Sequence, residues 1–269
     1  MDEPVSDRMR TEVCAKLAAI EEREKCIICL AVESGSRAWG FASPDSDYDV
    51  RFIYVRPSSW YLSVHVEDKR DVIEEPISDV LDVIGWDLRK ALRLLKKSNP
   101  PLLEWLQCPI VYSEHHGIAA ELRALVPEFY SPKATFHHYL HMAQGNFREY
   151  LRGETVWRKK YFYVLRPLLA MRWIERCLGP VPIEFNRLVE ATVEDPHILD
   201  AIDKLLCEKR AGAELDRGPH SPALSGFIES ELGRLEMAAE AVPVAKSSSE
   251  RLDECFRQIL IRLWGPAIL

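Results

Sequence analysis

The chain has 269 residues, 47% of them hydrophobic and 29% charged, the balance of a folded globular protein. A net charge of -7 argues against a basic footprint spread over the whole surface, and no run of about 18 apolar residues offers a membrane span. Met1–Arg10 opens acidic with no apolar stretch behind it, so no secretory signal is expected. Seven cysteines, an odd and scattered set, read as small core residues of a reducing compartment, and a cytoplasmic location is expected. The Cys26-Ile-Ile-Cys29 spacing lies inside an apolar run and has no second pair to complete a zinc site.

In chain order, Val13, Leu17 and Ile20 recur at helical spacing within 11–24, and Cys26–Val32 reads as a buried strand. That strand runs into Glu33-Ser34-Gly35-Ser36, a turn. Residues 49–55 form a second strand, with Val50, Phe52 and Tyr54 on one face and Arg51, Ile53 and Val55 on the other. An irregular aromatic excursion over 57–69 follows, then strand candidates at 71–74 and 80–86. Asp87 is placed to cap a helix that ends near Asn99-Pro100-Pro101, and a short helix covers 102–106. Beyond Tyr112 the pattern predicts helices at 115–126, 134–152, 156–178, 183–192, 196–210, 221–238 and 247–262, broken at prolines and glycines. The loop 211–220 has few apolar anchors and is the expected mobile segment of this half. The fold class is α+β: a mixed sheet with helices over 1–112, then an α-helical bundle over 113–269 that closes a substrate cleft.

The chemistry concentrates in 35–50. Asp47 and Asp49, two apart at a strand start, leave on one face, and two carboxylates that close repel unless a cation separates them. Mg²⁺, with Mn²⁺ as its substitute, is the hard cation for such oxygens and leaves coordination sites for phosphates. Gly35 allows a tight turn, and its amides with the Ser36 hydroxyl are placed to hold terminal phosphates, with Arg37 adding charge. Each piece alone is commonplace: Asp-x-Asp occurs in surface loops and Gly-Ser in ordinary turns.

Together the order strand, Gly35-Ser36, then Asp47-x-Asp49 beginning eleven positions after Ser36, strand resembles the nucleotidyltransferase signature of the DNA polymerase β superfamily. Further segments are similar to one branch, the predicted nucleotidyltransferase family associated with RNA ligase and RNA repair. These are Gly85-Trp86-Asp87-Leu88-Arg89-Lys90-Ala91-Leu92, Lys97-Ser98-Asn99-Pro100, Leu103-Glu104-Trp105-Leu106 and Lys160-Tyr161-Phe162-Tyr163-Val164-Leu165-Arg166-Pro167-Leu168. The resemblance covers roughly residues 25 to 240. It implies a polymerase-β-like catalytic domain and a third carboxylate from a later strand, for which Asp82 is the choice and Asp71 the runner-up. It also implies substrate contacts for Lys160, Tyr163 and Arg166; Lys159, Tyr163 and Arg166 share a helix face. Tyr161 and Phe162 read as core. His137, His138 and His141 read as ordinary helix histidines, since no further ligand stands in fixed relation to them.

The implied activity is metal-dependent transfer of a nucleoside monophosphate from an NTP, ATP being the simplest donor, to a hydroxyl, with pyrophosphate leaving. An RNA 3′ end is the acceptor that the RNA-repair association implies; a small molecule or a protein hydroxyl are its rivals, and no membrane partner is expected. The competing readings are a nucleotide-binding regulatory module without turnover, and an aromatic helix around Trp157 and Tyr161 that docks a protein partner.

Overall fold

A computed structural model describes residues 4–77, 80–212, 217–239 and 248–265. The first apolar run forms β1 (Ile27–Glu33), preceded by α1 (Asp7–Glu24), whose Val13, Leu17 and Ile20 pack inward and whose Ser6 side chain caps the Met9 amide. The Gly-Ser turn is one turn of helix, α2 (Gly35–Trp39), and leads by a loop to β2 (Tyr48–Val55). The aromatic excursion folds as α3 (Ser58–Tyr61) and a 3-10 turn at Val66–Asp68, before the hairpin of β3 (Val72–Glu74) and β4 (Leu81–Asp87). The Asp87 carboxylate then caps α4 (Leu88–Lys96) through the Arg89 amide.

Asn99 caps α5 (Pro100–Gln107), which starts two residues earlier than the apolar pattern predicts. Proline at a first helical turn loses no hydrogen bond and brings the φ the turn needs. Four residues then form β5 (Val111–Glu114), a strand the sequence reading missed. It is too short to show a period, and β1 supplies its pairing. The sheet order is β3-β4-β2-β1-β5; β2 and β4 are parallel, and the other neighbours antiparallel.

Among the described residues, the later elements are helices and a two-stranded ribbon: α6 (Ile118–Phe129), α7 (Pro132–Tyr150), β6 (Thr155–Trp157), α8 (Lys160–Glu175), α9 (Phe185–Thr192), α10 (Pro196–Arg210), β7 (Arg217–Pro219), α11 (Pro222–Ala238) and α12 (Glu250–Trp264). The helix expected from 156 thus begins at 160, because Thr155–Trp157 pairs with Arg217–Pro219. Of the loop 211–220, residues 213–216 lie outside the described residues, as does residue 247, the first of the helix expected over 247–262. No described helix is long and apolar enough to cross a membrane.

Two cores result. One joins the sheet, α1, α4, α5, α6 and, from the far end of the chain, Leu252, Ile259 and Leu260 of α12. The other joins α7 to α11 and takes Phe41 from the loop after α2. The packing therefore divides near residue 130 rather than 112. Ile118, Leu122, Leu125 and Phe129 of α6 belong to the sheet's core, which a boundary drawn from the change to helical periodicity misses. Cys26 and Cys29 are buried free thiols, burial pushing that of Cys26 up to about 12.

The cores meet at Glu104 of α5. Its carboxylate accepts from the Arg166 guanidinium of α8 at 2.7 Å, the Tyr139 hydroxyl of α7 at 3.2 Å and the Trp39 indole of α2 at 3.2 Å. Arg166 is 2% exposed. Removing one partner of a buried ion pair strands the other charge. Arg166→Met is therefore expected to destabilise the protein by about 3–5 kcal/mol, read from urea denaturation, and a loss of less than about 1 kcal/mol would contradict the arrangement.

Asp87 carries a second, pH-linked term. Burial raises its carboxyl to about 6, against the pull of Tyr61, the Arg89 amide and Arg56. The native state then binds a proton that the unfolded chain has lost, so this contribution to stability is present below about pH 4 and disappears as pH rises through 6. Asp87→Asn, which keeps a capping oxygen, is expected to lack that decline, so its denaturation midpoint should gain on the wild type's between pH 4 and 7.

Candidate active site

The register of the parallel pair sets Asp49 of β2 directly beside Asp82 of β4. Side chains alternate on each strand: Val50 and Phe52 with Leu81 and Val83 enter the core, while Asp49 and Arg51 with Asp82 face the other way. The Arg51 guanidinium lies between the two carboxylates. One nitrogen donates to Asp49 Oδ1 at 3.0 Å and to Asp82 Oδ2 at 2.7 Å, and the other to the Asp82 carbonyl at 3.2 Å. Asp47 is exposed in the loop before β2. Burial raises the Asp49 carboxyl above the usual carboxylate range; Arg51 opposes this, and the charges of Asp82 and Asp47 add to it.

Two features fix Asp49. Glu33, fully buried at the end of β1, accepts its backbone N–H at 2.7 Å and takes the Tyr112 hydroxyl on its other oxygen. Burial pushes the Glu33 carboxyl up, against those two hydrogen bonds. Gly35 lies close against the Asp49 side chain. Its φ is +59°, and a Cβ there would lie 2.1 Å from Asp49 Oδ2. Ser36 follows, half-buried, in the same turn.

The helical half supplies the other wall. Tyr163 is 43% exposed and stands edge-on to Trp39 at 5.7 Å; burial of its hydroxyl and the charges of Asp49 and Asp47 raise its pKa. Lys160 lies over the rings of Tyr150 and Tyr163, at 4.4 and 4.5 Å. Partial burial and Lys159 lower its pKa. Lys209, near the end of α10, reaches Ser43 Oγ at 3.0 Å and Ser46 Oγ at 3.5 Å, and its pKa is lowered by burial and Lys159 against the pull of Asp47 and Asp45.

Two expected substrate residues are placed otherwise. Arg37 is committed to the backbone: its guanidinium donates to the carbonyls of Asp47, Pro4 and Ser46 and lies 3.8 Å over the Tyr48 ring. It anchors the loop that carries Asp47 instead of facing a phosphate. Arg166 shares a helix with Tyr163 but is buried on Glu104, where no nucleotide reaches it. Asp71 pairs with Lys90 at 2.9 Å at the opposite end of β4, where Val72 is in register with Trp86. That is about five residues, roughly 16 Å, from Asp82.

The sequence reading missed Arg51, Glu33 and Lys209. Arg51 carried a signal, since i and i+2 share a strand face and Asp49 is its neighbour on it. Glu33 carried one too, as a lone carboxylate ending an apolar strand. Lys209 carried none: 163 residues separate it from Ser46.

The donor set suits a hard divalent cation. Asp47, Asp49 and Asp82 offer only carboxylate oxygen, Gly35 leaves the Asp49 oxygen uncovered, and a cationic group already sits between Asp49 and Asp82. Among the described residues no three or more His, Cys, Asp or Glu side chains are drawn together as metal ligands.

The chain belongs to the RNA repair pathway DNA polymerase beta family, which it matches over residues 9–258. It is 47% identical over 257 residues to the Bacillus subtilis (strain 168) protein called "Uncharacterized protein YcgL", covering 95% of this chain and 98% of that one. Among solved structures it is similar to a nucleotidyltransferase-like protein from Exiguobacterium sibiricum 255-15, at 14% identity and a TM-score of 0.33, over 85% of this chain and 78% of that one.

Gly35→Ala tests the cradle. The left-handed φ costs an alanine about 1–2 kcal/mol, and the Cβ must push the Asp49 carboxylate aside. The expected result is a denaturation midpoint lowered by that amount together with a disturbed Asp49 environment, measured as a changed pKa of its side chain by NMR. An unchanged Asp49 signal would show that the close approach does not constrain the carboxylate.

Proposed function

We propose that the protein is a metal-dependent nucleotidyltransferase that moves a nucleoside monophosphate from an NTP, ATP being the simplest donor, to a hydroxyl, with an RNA 3′ end as the acceptor. The single observation that carries this reading is the Asp49–Asp82 register, two carboxylates side by side on one sheet face with Asp47 at its entrance. The family's RNA-repair context supports the choice of acceptor.

Asp47, Asp49 and Asp82 are the residues for Mg²⁺ or Mn²⁺, which when bound supplies Lewis-acid stabilisation of the reacting phosphate and of the departing pyrophosphate. The Gly35 and Ser36 amides and the Ser36 hydroxyl hold the β- and γ-phosphates. Lys209 and Lys160 bring positive charge from the opposite wall, and both are already partly desolvated. Tyr163 offers an exposed ring for the base to stack on. The acceptor oxygen bonds to the α-phosphorus, the bond from that phosphorus to the β-phosphate oxygen breaks, and the acceptor's proton passes to an Asp82 carboxylate oxygen. Positioning and charge stabilisation carry most of the rate.

The test is mass spectrometry after incubation with each NTP, Mg²⁺ and pooled RNA, sugar and protein acceptors. An acceptor heavier by one nucleotide is expected, with pyrophosphate released. Asp47→Asn, Asp49→Asn and Asp82→Ala should each abolish the gain while leaving the circular dichroism spectrum unchanged. Ser36→Ala should weaken NTP binding more than NMP binding, by roughly 1.5–3 kcal/mol, the worth of a hydrogen bond to a charged group. Tight ATP binding with no transfer to any acceptor would instead identify a binding module.

A further inference from the structure

Arg51 has no part in the reading above, yet its guanidinium lies where a divalent cation serving Asp49 and Asp82 would be bound. It is held there from a rigid position. Its Cα is in the middle strand of the sheet, two residues from Asp49 on the same face, and its side chain is only 15% exposed. One nitrogen bridges the carboxylates, and the other is anchored on the Asp82 and Val50 carbonyls. Without a cation between them, two half-buried carboxylates in neighbouring register would repel, and the guanidinium removes that cost. A divalent ion that bridges Asp49 Oδ1 and Asp82 Oδ2 competes with it for the same space, because like charges at contact distance repel. The displaced head remains tethered to β2 within the cleft. The anion that accompanies such an ion in this reading is a phosphate, whose oxygens match the guanidinium fork.

We propose that Arg51 is a further substrate-binding residue: it neutralises Asp49 and Asp82 in the metal-free protein and passes to a phosphate of the bound nucleotide when the metal takes the carboxylates. This rests on the nucleotidyltransferase reading. It makes metal loading alone unfavourable and loading with nucleotide favourable, since only then does the guanidinium regain a counter-charge.

The experiment compares wild type with Arg51→Met in the full chain. Mn²⁺ binding alone is followed by electron paramagnetic resonance. Binding of the α,β-methylene analogue of ATP, which cannot transfer its nucleotide, is then measured at saturating Mn²⁺. Arg51→Met should bind Mn²⁺ alone more tightly by at least about tenfold, within the usual range of coupling between sites. It should bind the analogue more weakly by about tenfold or more, as loss of a charge-assisted hydrogen bond requires. Either change missing overturns the passage of the guanidinium from carboxylate to phosphate. Should the methionine variant not fold, Arg51→Gln, which retains a donor but no charge, answers the same two questions. If wild type binds Mn²⁺ with the analogue but Arg51→Met shows no gain for Mn²⁺ alone, this inference fails and the enzyme reading stands. If neither protein binds Mn²⁺ with or without the analogue, both fail.

Discussion

The Glu104 carboxylate is the interaction on which the cleft depends. It sits on α5 in the core of the sheet and takes donors from both halves: Arg166 and Tyr139 from the helical half, and Trp39 from the turn that begins with Gly35. The Arg166 guanidinium also lies 4.9 Å over the Trp39 ring, and that ring meets Tyr163 at 5.7 Å. The turn that begins with Gly35 and the exposed tyrosine are thus placed relative to each other by one desolvated carboxylate. Such a hub is demanding, because a buried charge left with too few partners is costly. It is also directional, and apolar packing between the two cores would not fix the angle at which α8 faces the sheet.

Around the site the charges are arranged in layers of differing mobility. Glu33 is fully buried and bound to the Asp49 backbone, so it belongs to the frame. Asp49 and Asp82 are set side by side by strand register, and Gly35, lacking a Cβ, leaves room for the Asp49 carboxylate against the turn. Arg51 is the one member of this cluster whose long side chain can leave its partners without moving the backbone. The opposite wall, Lys160 and Lys209, is tied down more weakly, by ring faces and two serine hydroxyls. An anionic ligand can therefore recruit these lysines at the cost of exchanging neutral partners for charged ones, which favours the ligand.

Much of the catalytic half was legible because its signals are local. Period-two alternation located β2 and the face of Asp49, an aspartate before an amphipathic run located the α4 cap, and Gly-Ser ahead of Asp-x-Asp located the turn. The sequence stopped being informative where placement depends on distant partners. The strand β5 exists because β1 offers it an edge. The α12 helix packs its Leu252, Ile259 and Leu260 into the sheet's core, across about half the chain from α6. Arg166 was misplaced for a related reason. Helical spacing says which residues share a stripe with Tyr163, but a stripe wide enough to pass from an exposed tyrosine to a buried arginine does not say where water ends.

The segments that carry the family resemblance divide along the same line. Asp87 and Asn99 cap helices, the Ser98 hydroxyl ties α4 to the Phe129 carbonyl, and Glu104 and Arg166 form the buried hub. These are residues of architecture. In the segment Lys160–Leu168, only the first turn, with Lys160 and Tyr163, reaches the cleft; Tyr161, Phe162, Val164, Leu165 and Leu168 are buried. A motif dominated by caps and a buried ion pair identifies a fold more sharply than a substrate, since each of those residues is answered by a partner within the chain. The candidate site is the remainder: the three aspartates, the Gly35-Ser36 turn, Arg51, Tyr163 and the two lysines. Of these only Gly35, Ser36, Asp47, Asp49 and Arg51 lie in one continuous stretch of sequence, and Asp82 comes from a later strand. The others are brought to the site from distant positions by the fold, and Lys209, held against Ser43 and Ser46 near Asp47, is the clearest of them.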